Sequence, residues 1–324
     1  SDNVRAINPL YISGGTDSWI TELLWDRLMR IGPDGLPTPW AATGHEWIDD
    51  TTIKVTLRDG MTWHDGMPVT VEDVKFSFEA AGSGESPMYA PFVRAIQEIT
   101  TEGNTITFKL AAPSAAFLTA SLAKINLIPK HVWEPVIESL KTSDQNAESY
   151  QEPTPIGSGP YRFGSWTQNE EVVLVRNEGH WAAPKADRWI LRIVPNVEAA
   201  LGMLRSGEIN FLSDFPGDPS VLKGAADADP NLRVVSTVDI GFRYVAFHHR
   251  RPPFNDPAFR RALSAAVDRR LIVGAAFRGF AVPSSGVVSP ALDFWHNPDA
   301  ALTETGIPVA QRILVIEDTL ELPV

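Results

Sequence analysis

The sequence predicts a mixed α/β fold of two domains, or three, and three observations lead there. The chain has 324 residues, 44% of them hydrophobic and 21% charged, enough to bury a large core and more than one core usually organises. From Thr52 to Arg58 the residues alternate, with Ile53, Val55 and Leu57 on one face and Thr52, Lys54, Thr56 and Arg58 on the other, the pattern of a half-buried strand. A helical pattern follows at once, and 26 prolines cut the apolar segments into short runs joined by many loops.

The opening residues VRAINPLY lead into SGGTDSW at 13–19. There two glycines precede Thr16 and Asp17, which are expected to cap a helix over 18–30 carrying Ile20, Leu23, Leu24, Leu28 and Ile31. Backbone N–H groups at such a helix start suit polar or anionic ligand atoms, so Gly14, Gly15, Thr16 and Asp17 are candidate ligand-binding residues. The turn-rich stretch 31–40 marks a boundary near residue 40.

After the strand at 52–58, Asp59-Gly60 turns the chain and Met61 and Trp63 start a short second strand. His64-Asp65-Gly66 turns again, and Pro68 is expected to stop ladder pairing. His64 is read as a hydrogen-bonded turn residue rather than a base. Thr70 with Asp73 makes a capping box for a helix whose stripe is Val71, Val74, Phe78 and Ala81. A loop at 83–89, strands at 92–100 and 104–110, and a short apolar helix at 115–123 follow.

In PIGSGPYRF at 155–163 the small residues let the backbone turn and approach another segment closely. It is not a phosphate loop, because Pro160-Tyr161 stands where Lys-Ser/Thr would open a helix. Strands are expected at 171–176, 189–194, 209–213, 232–237 and 242–248. Asn196 caps a helix that Gly207 closes, and the strands on either side of it are expected to pair in parallel. A helix near 218–226, a helix after Asp256-Pro257, and another after Asp268 that ends at Gly279 complete the pattern.

A net charge of −12 argues against a general binder of nucleic acid or anionic membrane. No apolar run reaches the roughly 18 residues that span a bilayer, and no signal-peptide pattern opens the sequence. With no cysteine, disulfides, thiolate metal sites and cysteine nucleophiles are excluded. The seven histidines form no HExxH, and there is no GxSxG. On a strand His248 and His249 would face opposite ways, which argues against a joint metal site. Asp49-Asp50 reads as a solvated pair, and nothing locates two carboxylates facing across a cleft.

Several strings resemble one family. LRDGMTWHDGMPVTVEDVKFSFE, IPKHVWE, PIGSGPYRF, LRSGEINFLSDFP, GFRYVAFHHRRPPF and FRRALSAAVDRRLIVGAAFRGFAVPSSGVVSP resemble landmarks of the extracytoplasmic solute-binding proteins, family 5, of peptide- and nickel-type ABC transporters. The resemblance covers most of residues 6–298 and fades over 299–324. It implies a periplasmic-binding-protein-like α/β fold of type II, cluster C, with two lobes, the second expected to be incomplete in this chain.

Lobe one would comprise 1–40 and 161–246 with an inserted subdomain at 41–160, and 247–324 would begin lobe two. The implied function is reversible capture of a solute in the bacterial periplasm and its delivery to a permease, without catalysis, cofactor or metal. The implied ligand is a peptide first, then an oligosaccharide, opine or nickel complex. Implied partners are the permease and ATPase subunits, with the binding protein itself a monomer and no nucleic acid involved. Cleft candidates are the 14–17 loop together with Tyr244, Phe247 and His248 at the crossover, and Trp295 early in lobe two. Other readings are a hydrolase acting on peptides or sugars, and a ligand-sensing domain of a regulator.

Overall fold

A computed structural model describes residues 4–297 and 306, apart from 13, 85, 143–149, 151, 195, 213, 214, 216, 217, 237–240, 285 and 293. The stretch 299–324, over which the resemblance fades, lies outside the described residues apart from Gly306. The chain divides into two compact units, Ser1–Asn196 and Val197–Val324.

In the first unit, helix α1 (Gly15–Leu24) is followed by the short antiparallel pair β1 (Met29–Ile31) and β2 (Pro37–Pro39). A four-stranded antiparallel sheet comes next, in the order β3-β4-β6-β5, with β3 Ala42–Asp49, β4 Thr52–Leu57, β5 Ile96–Glu102 and β6 Thr105–Leu110. Ile53, Val55 and Leu57 of β4 lie beside Phe108, Ile106 and their neighbours on β6, and all are buried. Helix α2 (Val71–Gly82) and the single-turn α3 (Ala90–Val93) cover this face. Phe78 of α2 meets Phe108 with ring centroids 4.9 Å apart. A π-helical turn at Leu118–Leu122 and helix α4 (Lys130–Leu140) follow. The chain then enters a three-stranded antiparallel sheet, β7 (Tyr161–Thr167), β8 (Glu171–Arg176) and β9 (Arg188–Arg192). Its Tyr161, Val172 and Leu174 share a second core with Leu24, Trp25, Trp133 and Ile137.

Local chemistry set several boundaries as expected. The Thr70 side chain accepts from the Asp73 N–H at 3.2 Å while Asp73 accepts from the Thr70 N–H at 2.8 Å, closing the capping box of α2. Two expectations in this region need correction. The helix expected over 18–30 ends at Leu24, because Trp25 turns extended at φ −120° and ψ 133°, Arg27 makes an isolated bridge with Asn126, and β1 begins at Met29. Its N-cap is Gly14, not Thr16 or Asp17, and no side chain caps it. The strand expected at Met61–Trp63 reduces to one bridge, Thr62 with Pro68, so Pro68 takes part in the pairing it was expected to stop. Proline lacks only the N–H; here Val69 N–H donates to Met61 O and Trp63 N–H to Met67 O on either side of it.

The second unit contains α5 (Val197–Ser206), α6 (Pro219–Ala228), α7 (Pro257–Ala266) and α8 (Arg269–Ala275). Asp218, Asp256 and Asp268 cap the last three, each accepting a backbone N–H two residues on. Gly207 at φ +77° and Gly279 at φ +85° end α5 and follow α8 in the left-handed conformation.

The strands expected at 209–213, 232–237 and 242–248 do not form among the described residues, and every strand pair there is antiparallel. The parallel unit fails at its second strand. The N–H groups of Glu208 and Ile209 both donate to Met203 O and close α5, so they are not offered to a ladder. Residues 242–248 lack a neighbouring strand among the described residues; Tyr244 and Val245 are about three-quarters exposed (73% and 75%).

Candidate functional site

The predicted site residues divide between the units. Gly14, Gly15, Thr16 and Asp17 form the start of α1 in the first. Gly14 is extended at φ −165°, and its carbonyl accepts the Ser18 N–H at 3.2 Å. Gly15 is exposed, with open space where a side chain would go. Asp17 is buried, 1% exposed, and its carboxylate faces the Arg5 N–H at 3.4 Å, while Thr21 Oγ1 donates to the Asp17 carbonyl at 2.7 Å. Thus Gly14, Gly15 and Thr16 present the accessible rim of this helix start, and Asp17 underpins it. A carboxylate in the first turn also complements the positive end of the helix dipole.

Tyr244, Phe247, His248 and Trp295 belong to the second unit. Tyr244 packs on Phe242 with centroids 5.4 Å apart, and Phe247 stacks on Phe254 at 5.8 Å and 20°. His248 is exposed and its carbonyl accepts the Arg251 N–H at 3.0 Å. Because 242–248 forms no ladder, the opposite-face argument for His248 and His249 does not apply; both are exposed in a turn. Trp295 meets Phe294 edge-on at 4.9 Å and is 46% exposed. These aromatic faces are available to a flat or apolar ligand group.

The most organised polar chemistry in the first unit lies where sequence reasoning placed a close approach. A β-carbon on Gly157 would stand 1.8 Å from Leu24 O, and one on Gly159 would stand 2.5 Å from Leu23 O. The segment therefore lies against the end of α1, as the small residues predicted. His64 grips it from the other side. Its Nδ1 accepts the Gly157 N–H at 3.1 Å, its Nε2–H donates to Gly159 O at 3.1 Å, and its own N–H donates to Gly157 O at 2.8 Å. One nitrogen must accept and the other donate, which fixes a neutral Nε2–H ring. Burial lowers the His64 pKa to about 4; the bond to Gly159 opposes this and the Arg162 guanidinium adds to it.

Asp26 was not singled out from the sequence, and it is the hub of this region. It is fully buried and accepts from Trp40 Nε1 at 2.7 Å, Ser158 Oγ at 2.9 Å and His180 Nε2 at 3.4 Å. His180 Nδ1 accepts the Ala182 N–H at 3.0 Å, so Nε2 carries the proton aimed at Asp26. Trp40 and Trp181 pack with centroids 4.3 Å apart, flanked by Arg30 over Trp40 at 3.5 Å and Arg58 over Trp181 at 3.9 Å. A cavity of about 30 Å³ beside them is lined by Ser158, Asn177, His180 and Trp181, room for a water molecule and not for a solute. Beside the same turn Asp65 accepts His131 Nε2 at 2.7 Å. Burial works against ionisation of Asp65, but the Met67 N–H and His131 hold its pKa below the usual value. The side chains of Asp26, His64, His180 and Asp65 thus each find hydrogen-bond partners inside the unit.

The comparisons with known proteins agree with one another. A family model described as bacterial extracellular solute-binding proteins, family 5 Middle, matches residues 37–314. The glutathione-binding protein GsiB of Salmonella typhi is 28% identical over 324 residues, an alignment covering 94% of this chain and 60% of that protein. A putative ABC transporter peptide-binding protein of Brucella ovis is 30% identical over 288 residues, covering 86% of this chain and 52% of the relative. Among solved structures, the oligopeptide-binding protein AppA of Bacillus subtilis, in complex with a nonapeptide, superposes with a TM-score of 0.81 at 23% identity, covering 98% of this chain and 64% of that one. NikZ of Campylobacter jejuni, in complex with Ni(L-His), superposes at 0.79 with 26% identity, covering 97% and 61%. The chain therefore spans roughly three-fifths of the length of the relatives it matches, 60% for the glutathione-binding protein. The fold is of the periplasmic-binding-protein-like type II class. With 37–314 matched by the family model, the chain belongs to the bacterial extracellular solute-binding proteins, family 5.

Proposed function

We propose that the protein is the substrate-binding component of an ABC importer, capturing a small solute outside the cytoplasmic membrane and delivering it to a permease. The observation that carries this reading is the family match across 37–314, joined by relatives named as glutathione- and peptide-binding proteins. A peptide is the leading ligand. Solved neighbours hold a nonapeptide, Ni(L-His), mannohexaose and mannopinic acid, so oligosaccharides, opines and nickel complexes are the other classes to test. Binding drives closure only as far as the closed state gains contacts over the open one. Permease and ATPase subunits are the expected partners, ATP hydrolysis belongs to the latter, and the binding protein acts as a periplasmic monomer.

The proposed lobe boundaries follow the resemblance: 1–40 and 161–246 with an insertion at 41–160, then 247–324. In this arrangement Gly14, Gly15, Thr16 and Asp17 supply helix-start polar groups, and Tyr244, Phe247, His248 and Trp295 supply aromatic and hydrogen-bonding contacts. The protein is not an enzyme on this reading.

Native mass spectrometry of the full-length protein after gentle purification tests the reading, expected to reveal a co-purified solute of one of these classes. Thermal shifts with a peptide mixture, mannohexaose and a nickel–histidine complex give the second readout. Release of a ligand-free protein that none of these stabilises would overturn the transport reading, and turnover of a bound ligand would replace it with the hydrolase.

A further inference from the structure

The chain passes from α4 towards β7 through Gly157–Gly159, and two separate sets of hydrogen bonds clasp this crossover. The end of α1 holds one side: Gly159 N–H donates to Leu24 O at 2.9 Å, Trp25 Nε1 to Ile156 O at 3.0 Å, and Ser158 Oγ to Asp26 at 2.9 Å. The turn at 63–66 holds the other through His64, whose ring and backbone make the three bonds to Gly157 and Gly159 described above. Two of the three bonds of the α1 clasp end on backbone carbonyls, those of Leu24 and Ile156. The turn clasp depends on a lone pair of an imidazole.

We propose that His64 is an acid-released latch: neutral, it locks the 63–66 turn onto the crossover; protonated on Nδ1, it frees the turn while the α1 clasp stays shut. The Gly157 N–H needs an acceptor, and a proton on Nδ1 sets two N–H groups against each other at 3.1 Å. That geometry costs the bond and leaves a buried donor unpaired. The charged and titratable groups around the ring are Arg162 from β7, Asp26 after α1, His180 after β8, and Asp65 of the same turn with its partner His131 from α4. Arg162 also donates to His64 O at 3.1 Å, so it disfavours a charged ring while tethering the turn's backbone. Asp26 favours the charged ring. Burial prevails, and the latch stays shut from neutrality down to about pH 4. A protein working outside the cytoplasm meets the pH of the surroundings, and this arrangement gives it a local, reversible opening in acid in place of wholesale unfolding.

The test is amide hydrogen exchange on the whole chain, read by NMR at Gly157, His64 and Gly159 from about pH 7 to about pH 3.5 and corrected for intrinsic rates. Protection at Gly157 and His64 is expected to fall at least roughly ten-fold as pH drops through about 4, while Gly159 changes by less than about two-fold. In His64→Gln, which keeps an acceptor and a donor but takes no proton, the selective loss should vanish. The ring nitrogen shifts of wild-type His64 give a second measurement that needs no variant: their midpoint should coincide with the loss at Gly157. The proposal is overturned by simultaneous loss at all three amides, by no loss over this range, by the same selective loss in the glutamine variant, or by a ring midpoint separate from that of Gly157.

Discussion

A β-carbon added to Gly157 would sit 1.8 Å from the carbonyl oxygen of Leu24, a backbone atom that cannot swing aside. Gly157→Ala must therefore push the crossover off the end of α1 and break the bonds around it. We expect a loss of about 3 kcal/mol or more in chemical denaturation followed by tryptophan fluorescence. Gly202 of α5 is the contrast, exposed and with nothing within 4 Å of a new β-carbon. Gly202→Ala should stabilise its helix by about 0.5–1 kcal/mol. Equal effects at the two sites would refute the close-approach account.

Asp26 gathers three donors that come from far along the chain, Trp40, Ser158 and His180. Truncation strands all three in a buried site. Asp26→Ala should cost about 3 kcal/mol, and Asp26→Asn less, since the amide keeps one acceptor. Ser158→Ala in the Asp26→Ala background should cost almost nothing beyond the single change, because the shared bond is already gone. An additive double mutant would mean that the hydroxyl is stabilised by something other than Asp26.

What was legible in the sequence and what was not follows the reach of each interaction. The Thr70–Asp73 box, the Asp256 and Asp268 caps and the Gly207 stop are settled within four residues, and all appear as read. Alternation placed β4 and β6 because both carry a buried face. The strand expected at 242–248 lacks that alternation, and no neighbouring strand supplies it a ladder among the described residues. The periodic pattern runs six residues past the end of α1, 30 against 24, because Leu28 keeps helical spacing while its backbone pairs elsewhere. Gly157 and Gly159 announced a close approach but not its partner. Asp26 had no local signal at all: its contacts lie 14, 132 and 154 residues away. For the ligand site the residues named are one run, 14–17, on the first unit and the scattered 244, 247, 248 and 295 on the second.

The capping box gives the mildest of the predicted changes. Thr70→Ala removes the acceptor for the Asp73 N–H and should cost about 1 kcal/mol, whereas Thr70→Ser keeps the oxygen and should stay within about 0.5 kcal/mol of wild type. Asp73→Ala should cost more than Thr70→Ala, since the Asp73 carboxylate also receives the Lys130 N–H at 2.9 Å and so ties α2 to α4. Urea midpoints for the three variants decide the order, and a harmless Asp73→Ala would remove that tie from the account.

Stability in mild acid should depend on His64. Its pKa is lowered from 6.5 to about 4 in the folded chain, chiefly by burial. The unfolded chain therefore takes the proton first. Above about pH 6.5 neither state holds it and the full stability is present; between about 6.5 and 4 each protonation favours the unfolded chain; below about 4 both hold it and the effect levels off. The loss over that window is on the order of 3 kcal/mol. Asp65 also has a lowered pKa, held down against burial by the Met67 N–H and His131, and its stabilisation likewise disappears with acid, at lower pH, as pH falls through its folded value. Urea midpoints taken from about pH 7.5 to about pH 4 should thus slope downward in wild type and flatten over the upper part of the range in His64→Gln. Parallel curves for the two proteins would show that His64 carries no such linkage and that the carboxylates alone set the acid limb.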